Sequence, residues 1–91
     1  MIAYFSLINL SLPFYPLAME NDDSFLKSFG AHLRKIRESK GISSAELARR
    51  CFMDRGNYTR YETGKTNATL TSLKKISQAL GVSVKDLVDF E

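Results

Sequence analysis

The sequence predicts an all-α fold of five short helices. Apolar residues recur at spacings of three and four, most such runs open on a capping residue and close on a glycine, and no segment sustains the alternation of a strand. The size fits: 91 residues, 25% charged and 44% hydrophobic, make one small globular domain at most, with a core that suits compact helices or an oligomer.

The first helix is expected from Asp22, where Asp22, Asp23 and Ser24 are candidate N-caps. Leu26, Phe29, Leu33 and Ile36 form one apolar stripe. Arg34, Lys35, Arg37 and Lys40 gather toward its C-terminal end, where positive charge suits the macrodipole, and Gly41 is the stop. Ser43-Ser44-Ala45-Glu46 reads as a capping box opening the second helix, whose inner face is Leu47, Ala48 and Cys51. Asp54 caps a third helix that stops at Gly64, about three residues after the second ends. Thr69 caps a fourth, through Leu70, Leu73, Ile76 and Leu80 to Gly81. Ser83, with Asp86 three residues on, opens a fifth that carries Val84, Leu87 and Val88.

Residues 1–18 differ from this pattern. They hold no charge and 13 apolar residues, whereas all 23 charged residues lie in 19–91. A signal peptide would begin with positive charge, and this stretch has none. A transmembrane helix needs about 20 apolar residues, and Pro13 and Pro16 interrupt the run. A hydrophobic arm could dock on a partner or a second subunit. The favoured reading is that translation starts at Met19, so that 1–18 is an uncharged extension and 19–91 the functional domain, expected in the cytoplasm and not at a membrane.

One cysteine, Cys51, and one histidine, His32, exclude an internal disulfide scaffold and a zinc finger. There are no paired carboxylates, nucleophile triad or phosphate-cradling loop, so no enzyme, cofactor, metal or small-molecule ligand is expected. Cys51 reads as a small core residue and His32 as solvated. Charge is the informative property. Residues 20–32 sum to −2 and residues 66–91 to zero, but 33–65 hold nine Lys and Arg against four acids. A basic centre with neutral or acidic flanks is the footprint of a surface facing phosphates, although a solvated face can look the same. Two short helices joined by about three residues, the second basic, match a helix-turn-helix.

At this point the chain resembles a known family. Phe29-Gly30-Ala31-His32-Leu33-Arg34-Lys35-Ile36-Arg37, Ile42-Ser43-Ser44-Ala45-Glu46-Leu47-Ala48, Thr59-Arg60-Tyr61-Glu62-Thr63-Gly64-Lys65, Leu70-Thr71-Ser72-Leu73-Lys74-Lys75-Ile76 and Ala79-Leu80-Gly81-Val82-Ser83 are together similar to the phage repressor/Cro-type (XRE) helix-turn-helix family. The resemblance implies a repressor-like DNA-binding domain. The chain departs from the family at Ser44, where glutamine is usual, at Phe52, where glycine is usual, and at Ala68, where proline is usual. Phe52 is the difficult one, because the turn residue often takes φ > 0, which a bulky aromatic dislikes.

In this architecture helix 54–63 lies in the major groove. Arg55, Gly56, Asn57 and Arg60 are then candidates for reading bases, with Arg suited to guanine and Asn to adenine. Gly56 either lets the helix backbone approach DNA closely or has drifted where nothing selects a side chain. Ser44, Thr59, Lys65, Thr66 and Asn67 are candidates for phosphate. Arg37 and Glu62 map onto a family ion pair that pins this helix to the scaffold. Tyr58 and Tyr61 read as core, and Arg49 and Arg50 as solvated. The expected function is a sequence-specific, double-stranded-DNA-binding transcriptional regulator, a homodimeric repressor with Val84, Val88 and Phe90 as exposed interface residues. The alternative is a protein-interaction module, such as an antitoxin that neutralises a partner protein.

Overall fold

Asp22 is the first helical residue of the computed structural model, which describes residues 22–90. The expectations for residues 1–18 and for a start at Met19 lie outside the described residues. The order is α1 (Asp22–Ser39), α2 (Ser44–Arg50), α3 (Arg55–Glu62), α4 (Leu70–Leu80) and α5 (Val84–Val88). Among the described residues there is no strand, and no helix is long and apolar enough to cross a membrane. Asp22 and Asp23 lie inside the first turn of α1, as acids on the positive end of the dipole and not as caps.

One face of each helix supplies the core. Phe29 and Leu33 of α1, Leu47 and Ala48 of α2, Tyr58 of α3, Ile76 and Leu80 of α4 and Leu87 of α5 are buried together with Cys51. Helix α1 is the platform: α3 and α5 pack on it, α2 packs on α3 and α4, and α5 closes on α4. Where α1 crosses α3 the backbones touch, since a Cβ at Gly30 would overlap the carbonyl oxygens of Glu62 and Tyr61.

Four helices close in the same way. After α1, Ile42 N donates to Arg37 O (3.3 Å) and Gly41 N to Glu38 O (3.0 Å); the ends of α3 and α4 repeat this pair of bonds around Gly64 and Gly81. After α2, Met53 N donates to Ala48 O (2.9 Å) and Phe52 N to Arg49 O (3.1 Å). These are Schellman turns, which need one left-handed residue each. Glycine fills that place three times, at φ 70–76°, and Phe52 fills it at φ 58° after α2. The turn keeps the usual shape, so the strain expected of a bulky residue is carried at Phe52.

Several expectations need correction. At α2, Ser43 Oγ accepts from Glu46 N (3.1 Å), but the Glu46 carboxylate does not reach back. It accepts instead from Arg49 (2.7 Å) and Arg50 (2.9 Å), because two guanidinium groups outcompete one solvent-facing N–H. Arg49 and Arg50 are therefore paired and not merely solvated. The reciprocal box forms at α5, between Ser83 and Asp86. Leu70 is 75% exposed: as the first residue of α4 it overhangs the edge of the core. At the C-terminal end Val84 is half-buried, and Phe90 folds back with its ring 5.3 Å from Phe25 and 6.1 Å from Phe29, so only Val88 of that trio stays exposed. His32 is half-buried against Phe90, and its Nε2–H donates to the Asp86 carbonyl (2.7 Å), one of the acceptors that a five-residue helix leaves open.

Candidate nucleic-acid interface

Helix α3 has the composition of a surface and the packing of a core element. Asp54 caps it by accepting from Gly56 N (3.0 Å), and its side chains then divide. Tyr58 is fully buried and Tyr61 and Glu62 are half-buried, whereas Arg55, Gly56, Asn57, Thr59 and Arg60 are all exposed. At 3.6 residues per turn Gly56 and Arg60 lie one above the other, flanked by Asn57 on one side and Thr59 on the other. Among the described residues no side-chain partner occupies the Arg55 guanidinium or the Asn57 amide, so both heads point into solvent with their donors available. Arg60 is partly engaged, since its Nη2 donates to Lys65 O (3.2 Å) and ties the exposed face to the following loop. Thr59 Oγ1 donates to Arg55 O (2.8 Å), which spends its single hydrogen within the helix.

The inner edge of α3 is held by a polar cluster in otherwise apolar surroundings. Arg37 Nε donates to Glu62 Oε2 (2.6 Å), its Nη2 to Glu62 Oε1 (3.1 Å), and its Nη1 to the carbonyl of Ile42 (2.8 Å). The Tyr58 hydroxyl also donates to Glu62 Oε2. The Arg37 and Glu62 side chains are 10% and 9% exposed, so the pair is desolvated, bidentate and supplied with further hydrogen bonds. The hydrogen bond to Glu62 raises the Arg37 pKa above the ordinary arginine value despite burial. Burial, and then the bond to Glu62, pushes the Tyr58 hydroxyl far above the ordinary tyrosine value. Burial also raises the Cys51 thiol, which donates to Lys75 O (3.9 Å); a thiol held protonated in this way is a core residue and no nucleophile. Among the described residues no group of His, Cys, Asp and Glu is arranged to hold a metal.

The remaining sequence-selected residues are more scattered. Lys65 is exposed beyond Gly64, Thr66 is half-buried and Ser44, the first residue of α2, is half-buried. Asn67 is exposed but lines a recess with Asp22, Phe25 and Leu26, where a neighbouring carboxylate disfavours an anion. Sequence reasoning missed two groups that set the site. Gly30 lets α3 lie against α1, a role visible only once the two backbones are placed. Tyr58 supports Glu62 from one turn earlier, for which the i, i+4 spacing was the available signal.

A helix-turn-helix family model matches residues 33–87. The chain belongs to this family. Members of the XRE type of helix-turn-helix, this chain included, are DNA-binding transcriptional regulators, which is not an enzyme class. The chain is 44% identical over 63 residues to control protein C.BamHI of Bacillus amyloliquefaciens, spanning 68% of this chain and 78% of that protein. Among solved structures it is similar to the restriction-modification controller protein C.AhdI from Aeromonas hydrophila (TM-score 0.67, 34% identity, 68% of this chain and 94% of that one). It is also similar to the clp gene regulator ClgR from C. glutamicum (TM-score 0.68, 31% identity, 70% and 82% covered). In helix-turn-helix terms α2 and α3 are the two motif helices and Phe52 stands in the turn between them.

Proposed function

We propose that this regulator is a homodimeric repressor that reads an operator half-site with α3, Arg55, Gly56, Asn57 and Arg60 meeting base edges in the major groove. The observation that carries this reading is the exposed face of α3, where two unoccupied polar heads with base-matching donors flank a helix rigidly held from behind. Lys65 and Thr66, with Ser44, are proposed as phosphate contacts. Thr59 and Asn67 are the weaker members of that set, because the Thr59 hydrogen is already donated and Asn67 neighbours Asp22.

One such module reads only a few base pairs, so specificity calls for two half-sites about 34 Å apart and a protein dimer to match. Support for a second copy comes from Phe25 (59% exposed) and Val88 (47% exposed), which rim an apolar recess of about 90 Å³ with Leu26, Phe29, Leu73 and Phe90. The similarity to C.AhdI and C.BamHI favours a controller role of the kind their names state.

Selection of bound sequences from random duplex DNA tests the reading, with a palindrome expected to be enriched. Arg55→Ala should then cost about 1–3 kcal/mol and relax one operator position, whereas Lys65→Ala should weaken all sequences alike and lower the salt slope by about one. Equal effects of Arg55→Ala on every sequence would count against base reading. The second reading, a protein-interaction module such as an antitoxin, draws on the 94% exposed ring of Phe52. It gains if no sequence is enriched at low salt.

A further inference from the structure

We propose that Gly56 and Thr59 form an apolar notch on α3 that receives the 5-methyl group of a pyrimidine in the major groove, an inference that rests on α3 being the base-reading helix. Five glycines occur in the chain. Gly41, Gly64 and Gly81 have positive φ, and Gly30 has no room for a side chain. Gly56 has neither reason. Its backbone is helical, and a Cβ there would meet a single outside atom, the capping oxygen Asp54 Oδ2 at 3.0 Å, which would have to give by a few tenths of an ångström. Glycine is the poorest helix former after proline, and the fold does not require it at this place. The space above Gly56 opens outward, in the middle of the exposed face.

Thr59 is three residues on and therefore beside it. Because Thr59 Oγ1 donates to Arg55 O (2.8 Å), its hydroxyl is turned to its own helix and its methyl is the group left to meet a ligand. Between the charged and amide heads of Arg55, Asn57 and Arg60 there is thus a small patch made of a bare Cα and a methyl. In the major groove the matching apolar group on a standard base is the 5-methyl of thymine, and 5-methylcytosine carries the same group at the same place.

The test uses the full chain and the operator obtained by selection. Thymines are replaced singly by deoxyuridine, which deletes the methyl and leaves the hydrogen-bonding edge unchanged, and cytosines singly by 5-methylcytosine. At one position in each half-site, loss of the thymine methyl is expected to weaken binding roughly fourfold, or gain of a cytosine methyl to tighten it by as much. Thr59→Ser should bind the methylated and unmethylated forms equally, at the affinity of wild type for the unmethylated one. Gly56→Ala should weaken the methylated operator without lowering the melting temperature. The proposal is overturned if an operator is bound but no methyl exchange changes affinity, or if Thr59→Ser loses the same factor on both forms. If no operator is enriched at all, base reading by α3 fails, and the two failures are thereby distinguished.

Discussion

Phe52 carries two unfavourable features at once, a left-handed backbone at φ 58° and a ring that is 94% exposed. The left-handed region costs a non-glycine residue roughly 1–2 kcal/mol, and glycine returns part of that gain as unfolded-state entropy of about 0.5–1 kcal/mol. Phe52→Gly should therefore stabilise the domain by roughly 0.5–1 kcal/mol, read as a higher denaturant midpoint at unchanged slope. Phe52→Ala, which removes the ring but keeps the strain, should not stabilise. A gain of equal size for both variants would mean that ring exposure, and not the backbone, is the source. The departure from glycine was legible in the sequence together with its consequence, because a turn residue is constrained locally. Gly30 was not legible in this way, since its constraint comes from a helix more than thirty residues further along.

Docking of α3 on α1 decides where the exposed face of α3 points. Two contacts make that junction, Gly30 under the Glu62 carbonyl and the Arg37–Glu62 pair, and within α3 the Tyr58 hydroxyl supports Glu62. Glu62→Ala would leave the Arg37 guanidinium buried with the Ile42 carbonyl as its remaining fixed partner, a change that typically costs about 3–5 kcal/mol. Lys65→Ala removes an exposed charge and should shift stability by less than about 0.5 kcal/mol. Equal melting temperatures for the two variants would remove the pair from the account of stability. At this scale the caps of α2 to α5 and the glycine stops of α1, α3 and α4 could be read from the chain, because capping is local chemistry. Two details could not. The Glu46 carboxylate had a choice between a backbone N–H and two arginines, and Leu70 matched a stripe whose outer end the tertiary structure leaves uncovered.

For the molecule as a whole, pH has a definite expected sign. Tyr58 and Cys51 have folded pKa values raised above their ordinary 10.0 and 9.0, so both stay protonated in the folded chain while the unfolded chain ionises. Their contribution is complete below about pH 8 and is lost as pH rises through the unfolded values, each group steepening the fall by up to about 1.4 kcal/mol per pH unit. Thermal melts from pH 7 to 11.5 should show a plateau and then a decline, and Tyr58→Phe should flatten the decline. The same slope in both proteins would be inconsistent with burial of a protonated Tyr58. Fold class and the position of the motif were legible at this scale from the joint spacing of caps, stripes and charge. The closing of the C-terminal end was not, because Phe90 and His32 meet Phe25, Phe29 and Asp86 across more than fifty residues.

Arg37 lies near the end of α1 and bonds at once to Ile42, ahead of α2, and to Glu62, at the end of α3. A single side chain thus spans all three elements, and none of them can loosen alone without stranding a desolvated cation. Native-state hydrogen exchange should therefore report one shared opening free energy for the amides in the second half of α1 and in α3, with α5 exchanging sooner. Separate protection levels for α1 and α3 would contradict this. If they move together, the orientation of α3 is as durable as the folded state itself, and any ligand of its exposed face selects among whole molecules and not among poses of one helix.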